Sequence, residues 1–368
     1  MKVLHYIPSI GKAGGGVSAY LQLLSHSLGK FVELHIISHH SKDELILENC
    51  QIHFIEGSLK HPIKMKREYC ALLDELQPNI VHINGCWMLQ CSWTVFWAHS
   101  KEYPVVISPH GMLEPWNIKK NYWTKKLPAL LLYQKRSIKI CQMLVATAEA
   151  EKKNLMNLGY NKNIAIVPNG IVINGISIKD SWEERKQILF LALFRRNKGI
   201  EILMRAISQM KNKLKGWKVI IAGIESDYTV NDLKTISNEL GINNIVDIVG
   251  GLFGEDKWKA YRESDVFILP TLNENFGIVI AESLICGTPV ITTKGAPWPQ
   301  IPKYKCGWWI NRSVSELTQA IDDFIKTPIE TRKTMGVNGR KLIEENFTSD
   351  IVARKMVEVY KKVTNSQF

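Results

Sequence analysis

Two carboxylates stand eight residues apart in Asn273-Glu274-Asn275-Phe276-Gly277-Ile278-Val279-Ile280-Ala281-Glu282, just after the apolar run Val266-Phe267-Ile268-Leu269-Pro270. The run reads as a buried parallel strand, and 276–285 as the helix that leaves it. Ligands of open parallel sheets sit at such strand-to-helix junctions. Glu274 then lies in the loop, beside helix-terminal N–H groups that attract phosphate, with Glu282 about two turns further in. That spacing puts one carboxylate within reach of a sugar and the other within reach of a ribose. Spacing alone leaves an ordinary alternative, glutamates that merely favour a helix dipole.

Three further groups could serve the same ligand. In Phe194-Arg195-Arg196-Asn197-Lys198-Gly199, three cations lie between a strand and a helix. Arginine binds a diphosphate bidentately and lysine acts as a point charge, although a solvated surface turn fits the same residues. In Ser9-Ile10-Gly11-Lys12-Ala13-Gly14-Gly15-Gly16-Val17, glycines let backbone N–H groups approach an oxyanion closely. That loop is neither GxGxxG nor GxxxxGK[ST], which disfavours a dinucleotide site or a P-loop and leaves a ligand-free turn open. Finally, His110 follows the strand 105–108 between Pro109 and Gly111, which fix its backbone. From a strand's carboxyl end it can face an inter-domain cleft, and a satisfied structural histidine is the alternative. His5, His82, His99, His35, His39 and His40 read as structural, and with no HExxH or other compact spacing no metal site is expected.

The elements that must position these groups alternate. Strands are expected at 3–7, 32–38, 52–55, 80–83, 105–108, 143–147 and 164–167, with helices at 17–28, 64–76 and 149–158. Pro168-Asn169-Gly170 and the polar stretch 174–184 break the pattern and read as the linker. A second run places strands at 187–193, 217–222, 245–249, 266–269 and 290–292, helices at 199–210 and 256–262, and a helical tail from Ser313. The fold class is therefore α/β, with two Rossmann-like domains facing a cleft. They are expected at 1–178 and 179–349, with a last helix near 350–368 packing back on the first.

The 368 residues carry a net charge of +12, which suggests an anionic partner. Seven scattered cysteines without a CxxC pair argue against a disulfide framework and a zinc ribbon. The start lacks the apolar core and cleavage site of a signal peptide, and no apolar run is long enough to span a bilayer, so a cytoplasmic protein is expected.

Taken in order, these segments resemble glycosyltransferase family 4, the retaining nucleotide-sugar transferases of the GT-B fold. The segment from Glu274 to Glu282 is similar to that family's EX7E motif. Gly14-Gly15-Gly16, Ser108-Pro109-His110-Gly111, Ala146-Thr147-Ala148-Glu149-Ala150-Glu151, Val167-Pro168-Asn169-Gly170-Ile171 and Lys198-Gly199 match supporting segments. The resemblance implies catalytic roles for His110, on the transferred sugar, and for Glu274, near the donor hydroxyls. It places Glu282 on the ribose and Lys198 on the diphosphate. The amides of Asn275, Phe276, Gly277 and Ile278, with Gly15 and Gly16 from the other domain, would face the phosphates. One departure concerns the arginine that the family usually carries before its Lys-Gly pair, since Leu193 stands near that place; Arg195 or Arg196 is expected to take over. The chain has no Asp-x-Asp triplet, so neither a metal nor a cofactor is expected beyond the donor itself.

Between Trp116 and Ile140 lie Lys119, Lys120, Lys125, Lys126, Lys135, Arg136 and Lys139 with Trp116, Tyr122, Trp123 and Tyr133, uninterrupted by any acid. Such a segment can rest peripherally on an anionic membrane, on the side where the resemblance puts the acceptor, and a solvated basic helix is its alternative. No nucleic-acid-binding signature accompanies the charge. The expected function is transfer of a hexose, with retention, from a nucleoside diphosphate sugar to a saccharide or lipid-linked saccharide in surface-polysaccharide assembly. A nucleotide-sugar epimerase of the same architecture and a noncatalytic nucleotide-sugar-binding subunit are the rivals. Donor sugar, base, acceptor, linkage and oligomeric state are not legible.

Overall fold

The computed structural model describes residues 1–12 and 16–365. Short runs rich in Val, Ile and Leu form two sheets whose strand pairs are all parallel, as expected of strands buried on both faces. The chain divides into unit 1, Met1–Val172 with the segment from Thr348 onward, and unit 2, Ile173–Phe347.

Unit 1 runs β1 (Lys2–Tyr6), α1 (Gly16–Leu28), β2 (Glu33–Ser38), β3 (Gln51–Phe54), α2 (Pro62–Leu76), β4 (Ile80–Asn84), α3 (Leu89–Ser100) and β5 (Val105–Ser108). A helical run follows, α4 (Pro115–Lys119), α5 (Leu127–Ala129) and α6 (Lys135–Ile140), with wider π-type turns at Tyr122–Lys126 and Leu130–Gln134. Then come β6 (Met143–Ala146), α7 (Glu149–Leu158) and β7 (Ile164–Ile166). The sheet order is β3-β2-β1-β4-β5-β6-β7, so the order in which strands are added reverses between β1 and β4 while the strands stay parallel.

Unit 2 contains β8 (Gln187–Leu191), α8 (Ile200–Met210), β9 (Lys218–Ala222), α9 (Val230–Glu239), β10 (Val246–Val249), α10 (Gly254–Glu263) and β11 (Val266–Leu269). It continues with α11 (Ile278–Ile285), β12 (Val290–Thr293), α12 (Gln300–Tyr304), β13 (Gly307–Ile310), α13 (Val314–Lys326) and α14 (Ile329–Asn346). The order β10-β9-β8-β11-β12-β13 puts the corresponding reversal between β8 and β11. The polar stretch expected as a linker instead straps unit 2. Lys179 donates from its amide to the Cys286 carbonyl (2.9 Å) and from Nζ to the Ser264 carbonyl (2.6 Å), while Trp182 Nε1 reaches the Gly287 carbonyl (3.1 Å).

The last helix, α15 (Ser349–Asn365), belongs to unit 1. Val352, Met356 and Tyr360 join Val3 of β1, Ile80 of β4 and Leu21 and Leu24 of α1 in one core, whereas Leu4, Tyr6, Val81 and Ile83 join a second core with α2 and α3. Successive strand residues thus alternate between the two faces. Close approach of α15 explains Gly170, where an added Cβ would lie 2.9 Å from the Cα of Ser349.

Candidate functional site

In unit 2, β8 and β11 are paired neighbours, with Phe267 opposite Leu189, so the loops leaving their carboxyl ends lie side by side. One brings Lys198 and the other Glu274, and these side chains form an ion pair, 17% and 12% exposed. The two loops are laced together around it. Leu272 donates from its amide to the Asn197 carbonyl (2.7 Å), Asn197 Nδ2 to Asn273 Oδ1 (2.9 Å), and Glu274 from its amide to the Gly295 carbonyl (2.9 Å). Gly199, φ +79°, ends the lysine turn where no Cβ fits, since one would lie 2.1 Å from the Pro270 carbonyl oxygen. The site therefore holds a cation and a carboxylate in contact, on backbone braced from both strands.

α11 starts at Ile278 rather than at 276, because Gly277 adopts the left-handed conformation (φ +79°) that caps it. Phe276 is buried against Trp298 (ring centroids 5.0 Å) and Phe347 (5.6 Å), and its carbonyl accepts from Trp298 Nε1 (2.5 Å). What Phe276 can offer a ligand is backbone. Trp298 is a fully buried core residue that fixes this loop.

Glu282 lies one helix inward, 8% exposed, with both carboxylate oxygens engaged. Lys257 Nζ donates to Oε1 (2.6 Å) and the Tyr261 hydroxyl to Oε2 (3.0 Å). Sequence reasoning missed both partners. Their only local signal is a spacing of four on α10, which puts them on one helix face; their contact with Glu282 is tertiary. Arg195 and Arg196 are exposed, and their contacts run to the 226–228 loop. Arg195 Nε donates to Ser226 Oγ (3.2 Å), the Arg196 amide to Asp227 Oδ2 (3.0 Å), and the Arg196 guanidinium lies over the Tyr228 ring at 5.8 Å.

In unit 1, His110 follows β5 in the left-handed conformation (φ +52°), and Gly111 continues it (φ +74°). The motif around Glu151 explains how this turn is held. Buried Glu151 accepts from the Gly111 amide (2.7 Å) through one oxygen, and from the Thr147 amide (2.7 Å) and hydroxyl (2.8 Å) through the other. The half-buried His110 ring lies against Tyr20 of α1 (centroids 4.5 Å), and Nε2 meets Asn84 Oδ1 at 3.3 Å. Burial holds this imidazole down to about 3, so it is neutral at physiological pH. Asn84 ends β4 beside the β1/β4 reversal and lines a cavity of about 300 Å³ with Ile7, Pro8, Val17, Met88 and Met112. Gly16 opens α1, and a Cβ there would meet nothing within 4 Å. Gly15 lies outside the described residues.

The indole rings that follow β4, Trp87, Trp93 and Trp97, are partly buried against the core. Trp93 and Trp97 pack against the α2/α3 core, and Trp87 is pinned by Nε1 to the Met112 carbonyl (2.6 Å), by the Tyr133 hydroxyl on its own carbonyl (2.7 Å) and by Lys126 over its ring (3.9 Å). That fixes which face of 116–140 turns outward: Trp116, Trp123, Leu131 and Leu132 are exposed, as are Lys119, Lys120, Lys125, Lys135, Arg136 and Lys139. Among the described residues, no helix is long and apolar enough to cross a membrane, and no three His, Cys, Asp or Glu gather as a metal-binding group.

Comparison with known proteins agrees with this division. Residues 14–174 match the family model described as Glycosyltransferase Family 4, and residues 176–342 match that of Glycosyl transferases group 1. An uncharacterized glycosyltransferase of Methanocaldococcus jannaschii is 27% identical over 240 residues, 60% of this chain and 60% of that protein, so the match spans little more than half the relative's length. Among solved structures, sucrose-phosphate synthase of Thermosynechococcus elongatus superposes with a TM-score of 0.79 at 17% identity, covering 100% of both chains. Anabaena HepE, in complex with UDP and glucose, gives 0.75 at 16% identity over 98% of this chain and 100% of its own. With two parallel α/β units of matching architecture and consecutive family matches along nearly its whole length, the chain belongs to glycosyltransferase family 4 and has the GT-B fold.

Proposed function

We propose that the protein transfers a hexose from a nucleoside diphosphate sugar to a saccharide or lipid-linked saccharide, with retention and without a metal ion. The observation that carries this reading is the contact of Lys198 with Glu274 at the β8/β11 reversal, next to the amino end of α11. A diphosphate needs a cation and convergent N–H groups, and a sugar needs a carboxylate to accept from its hydroxyls. The cation and the carboxylate stand together on one braced platform beside the amino end of α11. Unit 2 would thus be the donor unit, with Glu282 on the ribose, and unit 1 the acceptor unit, with His110 on the transferred sugar.

In the proposed reaction, the bond from the anomeric carbon to the diphosphate oxygen breaks and its electron pair leaves with the nucleotide. Lys198 and the amides from Asn275 to Ile278 stabilise that developing charge, with Arg195 or Arg196 as a second cation. The acceptor hydroxyl adds to the same face of the oxocarbenium-like carbon, and its proton passes to the departing phosphate oxygen. No enzymatic nucleophile is required, and the protein acts by positioning and charge stabilisation.

A panel of nucleoside diphosphate sugars, read by thermal stabilisation and by slow hydrolysis, tests this reading and identifies the donor. Stabilisation by one sugar nucleotide with release of the free sugar is expected. Conversion of the sugar nucleotide to an epimer would support the rival enzyme, and indifference to the whole panel would remove the donor assignment.

The outward face of 116–140 supports delivery of acceptor from an anionic membrane surface, consistent with surface-polysaccharide assembly. Four exposed apolar side chains stand among six exposed cations, and each cation near an anionic bilayer contributes about 1 kcal/mol. Vesicles with and without anionic lipid should pellet the protein unequally. Equal recovery from both would count against this surface.

A further inference from the structure

A chain of hydrogen bonds runs through the buried polar groups of unit 1 behind His110. His110 Nε2 meets Asn84 Oδ1 (3.3 Å), and Asn84 Nδ2 meets His5 Nδ1 (3.1 Å). His5 Nε2 meets the Tyr360 hydroxyl (2.8 Å), which meets His82 Nδ1 (2.6 Å), and His82 Nε2 meets Ser108 Oγ (2.7 Å). His5 and His82 are paired residues of β1 and β4, pointing to the face that α15 covers, so Tyr360 drops between them. Both histidines and the tyrosine are fully buried.

One contact fixes the direction of the whole chain. Asn84 Nδ2 also reaches the Tyr6 carbonyl oxygen (3.3 Å), which can only accept. The amide nitrogen must therefore face His5 and Tyr6, and the amide oxygen must face His110. His110 donates from Nε2 to that oxygen. His5 then accepts at Nδ1 and donates from Nε2 to Tyr360, whose hydroxyl donates to His82 Nδ1, and His82 donates from Nε2 to Ser108. From Asn84 to Ser108 each link then has one donor and one acceptor, with all three imidazoles neutral. Burial supports that state, holding His5 and His110 down to about 3 and His82 well below its ordinary value.

We propose that Asn84, oriented by the Tyr6 carbonyl and by His5, is a positioning residue that locks His110 in the Nε2–H tautomer, so that its Nδ1 is held as an acceptor for a hydroxyl of the transferred sugar. Among the described residues Nδ1 has no hydrogen-bond partner of its own. The inference deepens the reading of His110 as a sugar contact and rests on it.

The test uses full-length protein labelled with ¹⁵N-histidine, with His110 assigned by comparison with His110→Gln. Long-range proton–nitrogen correlation in the wild type should place the His110 proton on Nε2 and leave Nδ1 bare. Asn84→Leu, similar in size but without the amide, should turn this into a mixture of tautomers. Tyr360→Phe, which keeps the buried ring, should do the same to His82, whose Nδ1 loses its donor, and should leave the His5 and His110 protons on Nε2. Turnover should fall by at least about tenfold in Asn84→Leu with donor KM within about twofold, the pattern of a lost orienting group. A His110 proton on Nδ1 in the wild type overturns the proposal. So does an unchanged Nε2–H tautomer in Asn84→Leu, and Asn84→Ala decides in the same way if the leucine variant fails to fold. Wild-type turnover in His110→Gln would instead remove the sugar contact, a failure that the tautomer measurement distinguishes.

Discussion

Replacing Glu274 with glutamine should separate donor binding from turnover in opposite directions. Glutamine keeps the shape and an acceptor oxygen and removes one negative charge. In the wild type that charge faces Lys198, and both side chains are mostly withdrawn from water, at 12% and 17% exposure. At about 4 Å and an effective dielectric near 20, such a pair attracts by roughly 4 kcal/mol before desolvation is subtracted. A diphosphate arriving at Lys198 must share that cation with Glu274; in Glu274→Gln it is the sole anionic partner. If about a third of the attraction is released, nucleoside diphosphate binds about tenfold tighter, the equivalent of about 1.4 kcal/mol. Turnover should meanwhile fall at least about 100-fold, as when one charge-stabilising group is lost from a transition state. Calorimetric titration with the nucleoside diphosphate found in the donor screen gives the first quantity, and product release under saturating donor gives the second. A melting curve checks the fold, for which a loss of about 1 kcal/mol is expected from the unpaired lysine. Weaker nucleotide binding together with retained turnover would refute the reasoning, because Glu274 would then neither compete for Lys198 nor serve the reaction.

Glu282→Ala should raise donor KM by roughly 10-fold or more with little change in turnover, and Tyr261→Phe should do so by about fivefold, about 1 kcal/mol and thus part of the worth of one hydrogen bond to a carboxylate; kcat effects that exceed the KM effects would contradict a binding role. Alanine at both Arg195 and Arg196 should weaken nucleoside diphosphate binding by about tenfold, and unchanged affinity would assign both to the 226–228 loop alone. Activity is expected to persist in EDTA, and its abolition with recovery on adding Mg²⁺ would contradict charge neutralisation by Lys198 and helix N–H groups. Acidification should destabilise the fold. His5 and His110 titrate near 6.5 when unfolded and at about 3 when folded, so between those values the unfolded chain holds more protons, and each histidine removes up to about 1.4 kcal/mol per pH unit as pH falls below about 6.5. The melting temperature should fall between about pH 7.5 and 5.5, less steeply in His5→Gln, and equal slopes would argue against a neutral His5.

Much of the architecture is legible in the chain because strand and helix periods are local. Apolar runs such as 105–108 and 266–269 coincide with β5 and β11, and the helix read at 149–158 is α7. Where local signals conflict, the reading is less complete. Gly307-Trp308-Trp309 carries a glycine and two bulky rings, and only its pairing with β12 makes it β13; α9 is too polar for its apolar stripe to stand out. The helix start at Ile278 depends on a left-handed Gly277, a dihedral choice that the EX7E spacing does not encode.

The sequence by itself determined two parallel α/β units, the family, and the residue types present at the β8 and β11 loops, because each rests on patterns within a few dozen residues. Only the tertiary structure decided which charges are joined. Lys198 and Glu274 are 76 residues apart, and their contact follows from β8 lying beside β11 in the sheet. Lys257 and Tyr261 reach Glu282 across two helices, and Tyr360 reaches His5 over 355 residues of chain, because α15 returns to cover β1 and β4. A hydrogen bond requires donor and acceptor within about 3 Å, and separation along the chain carries no such distance until sheet order and helix packing set it.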